Sequence, residues 1–197
     1  PRVRRAFAMA TDRETLADVV EKGLSLPATG GFVPPGMPGH SAGIGVPYDP
    51  DRARHLLAEA GYPGGRGFPV VDVLTLPIIE PVVEYLQGQW RENLGVEATC
   101  EAMELTKYPD KPERGLPHLH CSRWGADYPD PDNFLRVAVS SMIGLSWWQN
   151  EAYDALVEEA RRVMDQEERM KLYRQADRIL VEEAPIMPLV YHWWTDL

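Results

Sequence analysis

The apolar positions of the chain fall into helix-spaced and strand-like runs that alternate from one end to the other. In RVRRAFAMATDRETLADVVEKG, Val3, Ala6, Phe7 and Ala10 recur at helical spacing, and Thr11 followed by Glu14 has the capping-box pattern. This predicts two consecutive helices meeting near Thr11 and Asp12, the second stopping at Gly23. Between Pro27 and Pro47 the chain, including GGFVPPGMPGH, is too rich in proline and glycine for a regular element, which predicts a long ordered loop. Asp49 then reads as an N-cap, Pro50 as the first helical residue and Gly61 as the stop of a helix that turns Ala53, Leu56, Leu57 and Ala60 to one side.

The run FPVVDVLTL reads as a buried strand. Pro81 opens a helix with Val82, Val83, Leu86 and Trp90 inward and Gly95 at its end, and VEATCEAM alternates as the next strand. Strand, helix and strand in that order make the βαβ unit of a parallel sheet. A third strand is expected over LPHLHCSRW, from Leu116 to Trp124, then a short apolar helix from Phe134 to Val139 and an aromatic loop, SWWQN. Asn150 caps a helix that turns Tyr153, Leu156, Val157, Ala160 and Met164 inward. Asp165 and Glu168 form an acidic capping box for another, carrying Tyr173, Ala176 and Leu180 and ended by Pro185. IMPLVYHWW closes the chain as a strand. No repeat period appears, so residues 1–197 are expected to form a single α/β lobe with a mostly parallel central sheet flanked by helices.

Composition agrees with a packed core: of 197 residues, 44% are hydrophobic and 25% charged, far from the signature of disorder. A formal net charge of -10 argues against a nucleic-acid backbone or an anionic membrane surface as partner and leaves cationic or zwitterionic ligands open. No apolar run reaches the length of about 18 residues needed to cross a bilayer. PRVRRAF begins inside a helical pattern without an initiator methionine, which reads as a piece of a longer chain. Cys100 and Cys121 could pair or could serve as small buried residues in separate strands; unpaired thiols are the favoured reading, because two cysteines in so long a chain are no disulfide framework.

Catalytic signatures are missing: there is no G-x-S-x-G elbow, P-loop, H-E-x-x-H or G-x-G-x-x-G after a strand. Asp130 and Asp132 could act as the paired carboxylates of a glycosidase, yet prolines on both sides of Asp130 suit a turn and a helix cap better. His118 and His120 would share one face of a strand, and His192, Cys100 and Cys121 are further candidates for a zinc or nickel site; hydrogen-bonded strand histidines are the simpler reading. Trp147, Trp148, Tyr191, Trp193 and Trp194 could line a cleft or fill a core. The Glu and Arg runs from Val157 to Glu183 read as solvated helix faces with i to i+4 pairing.

The stretch WGADYPDPDNF carries the candidate ligand chemistry. A strand ending at Trp124 and a turn beginning at Asp127 put an aromatic face beside a carboxylate at the carboxyl end of a parallel strand, where open α/β sheets bind ligands. A carboxylate in a water-poor cleft is a natural partner for an ammonium group. Asp130, Pro131 and Asp132 then read as the turn and N-cap that launch the following helix.

Taken in order, RVRRAFAMATDRETL, GFVPPGMPG, YDPDRARHLLAEAGYPGG, WGADYPDPDNF and the block from Asn150 to Leu189 closely resemble the family 5 solute-binding proteins of ABC importers, the dipeptide- and oligopeptide-binding group, over essentially the whole chain. The resemblance implies a periplasmic-binding-protein-like (type II) lobe. It would be the second of two lobes, with the first lobe and the C-terminal return outside this chain. It further implies a non-enzymatic monomer, periplasmic or otherwise extracytoplasmic, with or without a lipid anchor, that carries no cofactor and hands peptides to the membrane subunits of an ABC permease. The aspartate of the family's W-x-x-D segment, which holds the peptide α-ammonium group, matches Asp127, and the tryptophan facing the ligand matches Trp124; Gly125 and Tyr128 complete the expected ligand-binding set. Nickel-binding relatives do not keep this aspartate, which tilts the reading towards peptides. No arginine for the peptide carboxylate is identifiable, Arg123 being only a neighbour. The alternatives are a nickel-type metal chelate, a sugar or another small cationic solute on the same fold, and, from a different class, a hydrolase using Asp127 and Asp130 as acid and base.

Overall fold

The computed structural model describes residues 1–104, 117–139 and 148–192. Helix α1 (Arg2–Met9) buries Ala6, Phe7, Ala8 and Met9. It is followed by α2 (Arg13–Thr15), which continues as a π-helical turn over Leu16–Val20. The cap of α2 is Asp12 rather than Thr11: Asp12 accepts the backbone N–H groups of Glu14 and Thr15, each at 3.0 Å. Thr11 is fully buried, and its hydroxyl donates to the Phe7 carbonyl at 2.9 Å and accepts the Trp90 indole N–H at 3.1 Å. A hydroxyl committed to the preceding helix and to Trp90 is not available to the next helix.

Strand β1 (Ser25–Pro27) precedes the proline- and glycine-rich loop, which contains no regular element up to α3 (Pro50–Glu59). That loop is anchored by Asp177, fully buried, whose carboxylate accepts the Phe32 N–H at 2.7 Å. Only glycine fits at position 31, since a Cβ there would stand 1.8 Å from Asp177 Oδ2. The cap of α3 is as expected, with Asp49 accepting the Arg52 N–H at 2.9 Å.

Strand β2 (Val71–Thr75), α4 (Glu80–Leu94) and β3 (Ala98–Ala102) form the expected βαβ unit, with Gly95 left-handed at the helix end. β4 (Leu119–Cys121) joins the other side of β2, also parallel, so the sheet order is β3-β2-β4. This third strand is shorter than expected and ends before Trp124; Leu116 lies outside the described residues. Cys100 and Cys121 sit on the two strands flanking β2 and are both free thiols. Burial pushes the Cys121 thiol up to about 11, which keeps it protonated and inert.

The remaining helices are α5 (Asp132–Leu135), which continues as a 3-10 turn over Arg136–Ala138, α6 (Glu151–Ala160) and α7 (Gln166–Glu183). Asn150 caps α6 through the Tyr153 N–H at 3.0 Å, and Asp165 caps α7 through the Glu168 N–H at 2.9 Å. The Glu168 carboxylate faces Lys171 at 3.5 Å, so only half of the expected capping box is shown. Met164 is 90% exposed rather than inward, because α6 stops at Ala160 and Met164 falls in the connecting turn. The closing strand β5 (Val190–His192) pairs antiparallel with β1, Leu26 opposite Tyr191, apart from the parallel sheet.

Two apolar cores result. One packs α1, α3 and α4 against the sheet through Phe7, Leu57, Val73, Val83 and Trp90. The other gathers α5, α6, α7 and Val33 of the long loop around Leu135, Tyr153, Tyr173 and Leu180. Arg13 ties the parts together: its buried guanidinium donates to the carbonyls of Ala8, Val46 and Pro188 at 3.1, 3.1 and 2.8 Å. Burial pulls its pKa down to about 10. Among the described residues no helix is long and apolar enough to cross a membrane.

Candidate ligand-binding site

Thr75 pairs with Cys121, so the carboxyl ends of β2 and β4 lie level, and the chain leaves β4 directly into the WGADYPDPDNF segment. Trp124, Gly125, Asp127 and Tyr128 are all exposed there, Trp124 at 42% and Tyr128 at 43%. The four expected site residues are thus all exposed, close together along the chain. What holds them is buried behind. The Trp124 indole N–H donates to the carbonyl of Asn133 at 3.0 Å and to its Oδ1 at 3.1 Å. Asp127 donates its N–H to Asn133 Oδ1 and accepts from Asn133 Nδ2, both at 3.4 Å. Tyr128 donates its hydroxyl to Asp132 Oδ2 at 3.1 Å, which points its polar end into the lobe.

The three aspartates of the segment meet different partners. Asp130 takes a bidentate pair from Arg169, at 2.6 and 2.8 Å, and accepts the Asp132 N–H at 2.9 Å. Burial pushes the Asp130 carboxyl up, but the Arg169 and Asp132 hydrogen bonds outweigh it and hold the group below the usual carboxylate range. Asp132 is not the N-cap expected from its position. Pro131 occupies that place, and the buried Asp132 carboxylate accepts the hydroxyls of Tyr128 and Tyr173 at 3.1 and 3.2 Å, with Arg136 and Arg161 at 3.6 and 3.7 Å. As the first helical residue, Asp132 presents its side chain to α7 instead of back to its own helix end. Among the described residues Asp127 alone of the three has no cationic partner, its side chain meeting only the neutral Asn133 amide.

Arg123 faces Glu21 at 3.6 Å, and Glu21 also meets His192 at 3.7 Å, so this arginine is engaged within the lobe. Burial first, and then Arg123, lower the His192 pKa. His118 accepts the Asp72 N–H through Nδ1 at 2.9 Å, at the end of the sheet away from Trp124. Among the described residues no three His, Cys, Asp or Glu side chains gather in a metal-holding group. Trp148 packs edge-on against Tyr153 at 5.1 Å and donates to Glu183 at 2.6 Å, while the buried Tyr191 donates to the Gly31 carbonyl. Both serve packing; Trp147, Trp193 and Trp194 lie outside the described residues. Sequence reasoning overlooked Asn133, for which the only signal was an amide placed just inside a helix that already had its turn formers.

Residues 1–144 match the family model described as bacterial extracellular solute-binding proteins, family 5 Middle. The chain belongs to this family. Over 96% of its length it is 32% identical to di/tripeptide-binding protein 3 of Pseudomonas aeruginosa, and over 96% it is 33% identical to heme-binding protein A of Haemophilus influenzae. It superposes on the crystal structure of a periplasmic oligopeptide-binding protein of an ABC transporter from Borrelia burgdorferi with a TM-score of 0.86 and 28% identity, covering 96% of this chain and 39% of that one. The chain spans about 37% of the length of the curated relatives it matches, so it corresponds to a part of a family 5 protein. Its α/β architecture is that of the peptide-binding neighbours.

Proposed function

We propose that this family 5 chain is the second lobe of the substrate-binding component of an ABC importer, and that the intact protein captures peptides between two lobes with Asp127 anchoring the ligand ammonium group. The observation that carries the reading is the contrast among the three aspartates. Asp130 and Asp132 are engaged by arginines and tyrosines of the chain, whereas Asp127 is exposed, sharing the neutral Asn133 amide with the exposed Trp124. An exposed carboxylate without a cationic partner matches an ammonium head group. Di/tripeptide- and oligopeptide-binding relatives favour a peptide as its bearer. Gly125, whose absent Cβ leaves open space, and the half-exposed ring of Tyr128 complete the wall. Closure of the second lobe would exclude water and strengthen the ion pair.

In this reading the protein acts as an extracytoplasmic monomer without cofactor or catalytic residue, delivering its ligand to permease membrane subunits. A hydrolase using Asp127 and Asp130 is disfavoured by geometry, since Asp130 is locked in a bidentate ion pair and held ionised by Arg169. The heme-binding relative favours one second reading, a different small solute on the same fold. Native mass spectrometry of the intact protein, purified from a bacterial host without refolding, separates the two. A spread of co-purified masses that are released on denaturation and sequence as short peptides supports the proposal. A single discrete adduct with the mass of a metal chelate, a sugar or another solute replaces it with the second reading.

A further inference from the structure

We propose that Asn133 is the positioning residue of the ligand site, setting the Trp124 ring and leaving one Asp127 carboxylate oxygen facing the ligand; this rests on the ammonium-anchoring reading of Asp127. Asn133 is 7% exposed, and its side chain is committed to the site. Oδ1 accepts the Trp124 indole N–H at 3.1 Å and the Asp127 N–H at 3.4 Å, while Nδ2 donates to Asp127 Oδ2 at 3.4 Å. Its own carbonyl takes the same indole N–H at 3.0 Å.

An amide suits this place because it accepts and donates at once without charge. A carboxylate here would face Asp127 with like charge, and an aliphatic side chain would withdraw partners from both site residues. An arginine, as Asp130 has in Arg169, would cancel the charge a cationic ligand needs. Donation from Nδ2 engages Oδ2 and leaves Oδ1 of Asp127 to meet an incoming ammonium. Asn133 can do this because its helix is fixed: Phe134 and Leu135 are buried in the second core, and Asp130 holds the turn before them through the Asp132 N–H. The two 3.4 Å contacts to Asp127 are at the long end of the hydrogen-bond range and have room to shorten as the cleft closes.

The test uses the intact protein with two probes, trialanine and N-acetyl-trialanine, compared by calorimetry. Asn133→Ala is expected to weaken trialanine binding about tenfold, the scale of a lost hydrogen bond to a charged group, and to leave the acetylated peptide unchanged. Asn133→Ser, tolerated at a helix start and too short to span Trp124 and Asp127, should behave alike. Equal weakening of both probes would mean a general structural role, and no change in either would mean no role; each overturns the inference. Asp127→Asn separates this from the underlying reading. If that variant keeps the full preference for the free amine, the ammonium reading falls and the inference with it. If it loses the preference while both Asn133 variants retain it, only the positioning role falls. Should neither Asn133 variant fold, hydrogen exchange of the Asn133 side-chain amide in the unmodified protein decides: protection supports the role, and exchange as fast as a solvated amide overturns it.

Discussion

Asp127, Asp130 and Asp132 share a side-chain type and a turn, and their partners divide their work. Asp130 bonds Arg169 and the Asp132 backbone, Asp132 bonds two tyrosine hydroxyls, and Asp127 is turned outward. In the intact protein Asp127→Ala is expected to weaken peptide binding by about 2–4 kcal/mol, the scale for a desolvated charge that loses its partner. Unchanged affinity in calorimetry would remove Asp127 from the site. Gly125 offers a complementary test, since its backbone lies outside the left-handed region and a Cβ there meets nothing within 4 Å. Gly125→Val should therefore shift stability by less than about 0.5 kcal/mol, yet lower peptide affinity if ligand backbone approaches there. A melting curve and a titration on the same sample check both halves, and full affinity in a stable variant would take Gly125 out of the wall. That the WGADYPDPDNF segment follows a parallel strand was legible in the sequence, because strand and turn signals lie close together there. The burial of Asp132 was not, since Tyr173 of α7 and Arg161 after α6 join its local partners Tyr128 and Arg136 only when those helices pack.

Elements were most legible where the signal is local. Asp49, Asn150 and Asp165 each cap the helix that follows, and Gly95 ends α4, because cap and helix lie within a few residues of each other. Thr11 misled for the opposite reason: a capping residue by type, it is drawn into the core by Trp90, far along the chain. Strand β1 left no alternation to read and exists because β5 pairs with it. The long loop is held to α7 by Asp177, whose carboxyl burial pushes up to about 6. A pKa raised above the unfolded value of about 3.9 means that the folded protein favours the protonated form. That contribution is full below about pH 4 and is lost as pH rises through about 6, with an order of about 3 kcal/mol between the limits. Asp177→Asn keeps an acceptor for the Phe32 N–H and does not ionise. It should match the unmodified chain near pH 4 and exceed it in stability by up to about that amount at pH 7.5. Denaturant titrations at the two pH values test this, and parallel stability profiles would show that Asp177 does not carry the dependence.

At the scale of the whole molecule, the chain spans about 37% of its curated relatives and in the proposed reading presents one wall of a site. A binding pocket commonly buries about 70–90% of a small ligand, which a single wall with exposed Trp124 and Asp127 does not achieve. The chain by itself is therefore expected to bind trialanine at least about 100-fold more weakly than the intact protein, roughly 2.7 kcal/mol. Comparable affinity for the two would count against capture between lobes. The sequence by itself determined the caps of α3, α6 and α7, the end of α4 at Gly95, the βαβ unit and the parallel character of the sheet, because periodicity, caps and turn formers act over a few residues. Only the tertiary structure decided that β5 pairs with β1 outside that sheet, that Arg13 is satisfied by carbonyls from three segments, and that Asn133 stands behind Trp124 and Asp127. Those outcomes depend on which distant segments fold against one another. A buried donor or acceptor takes whichever partner the packing brings within reach.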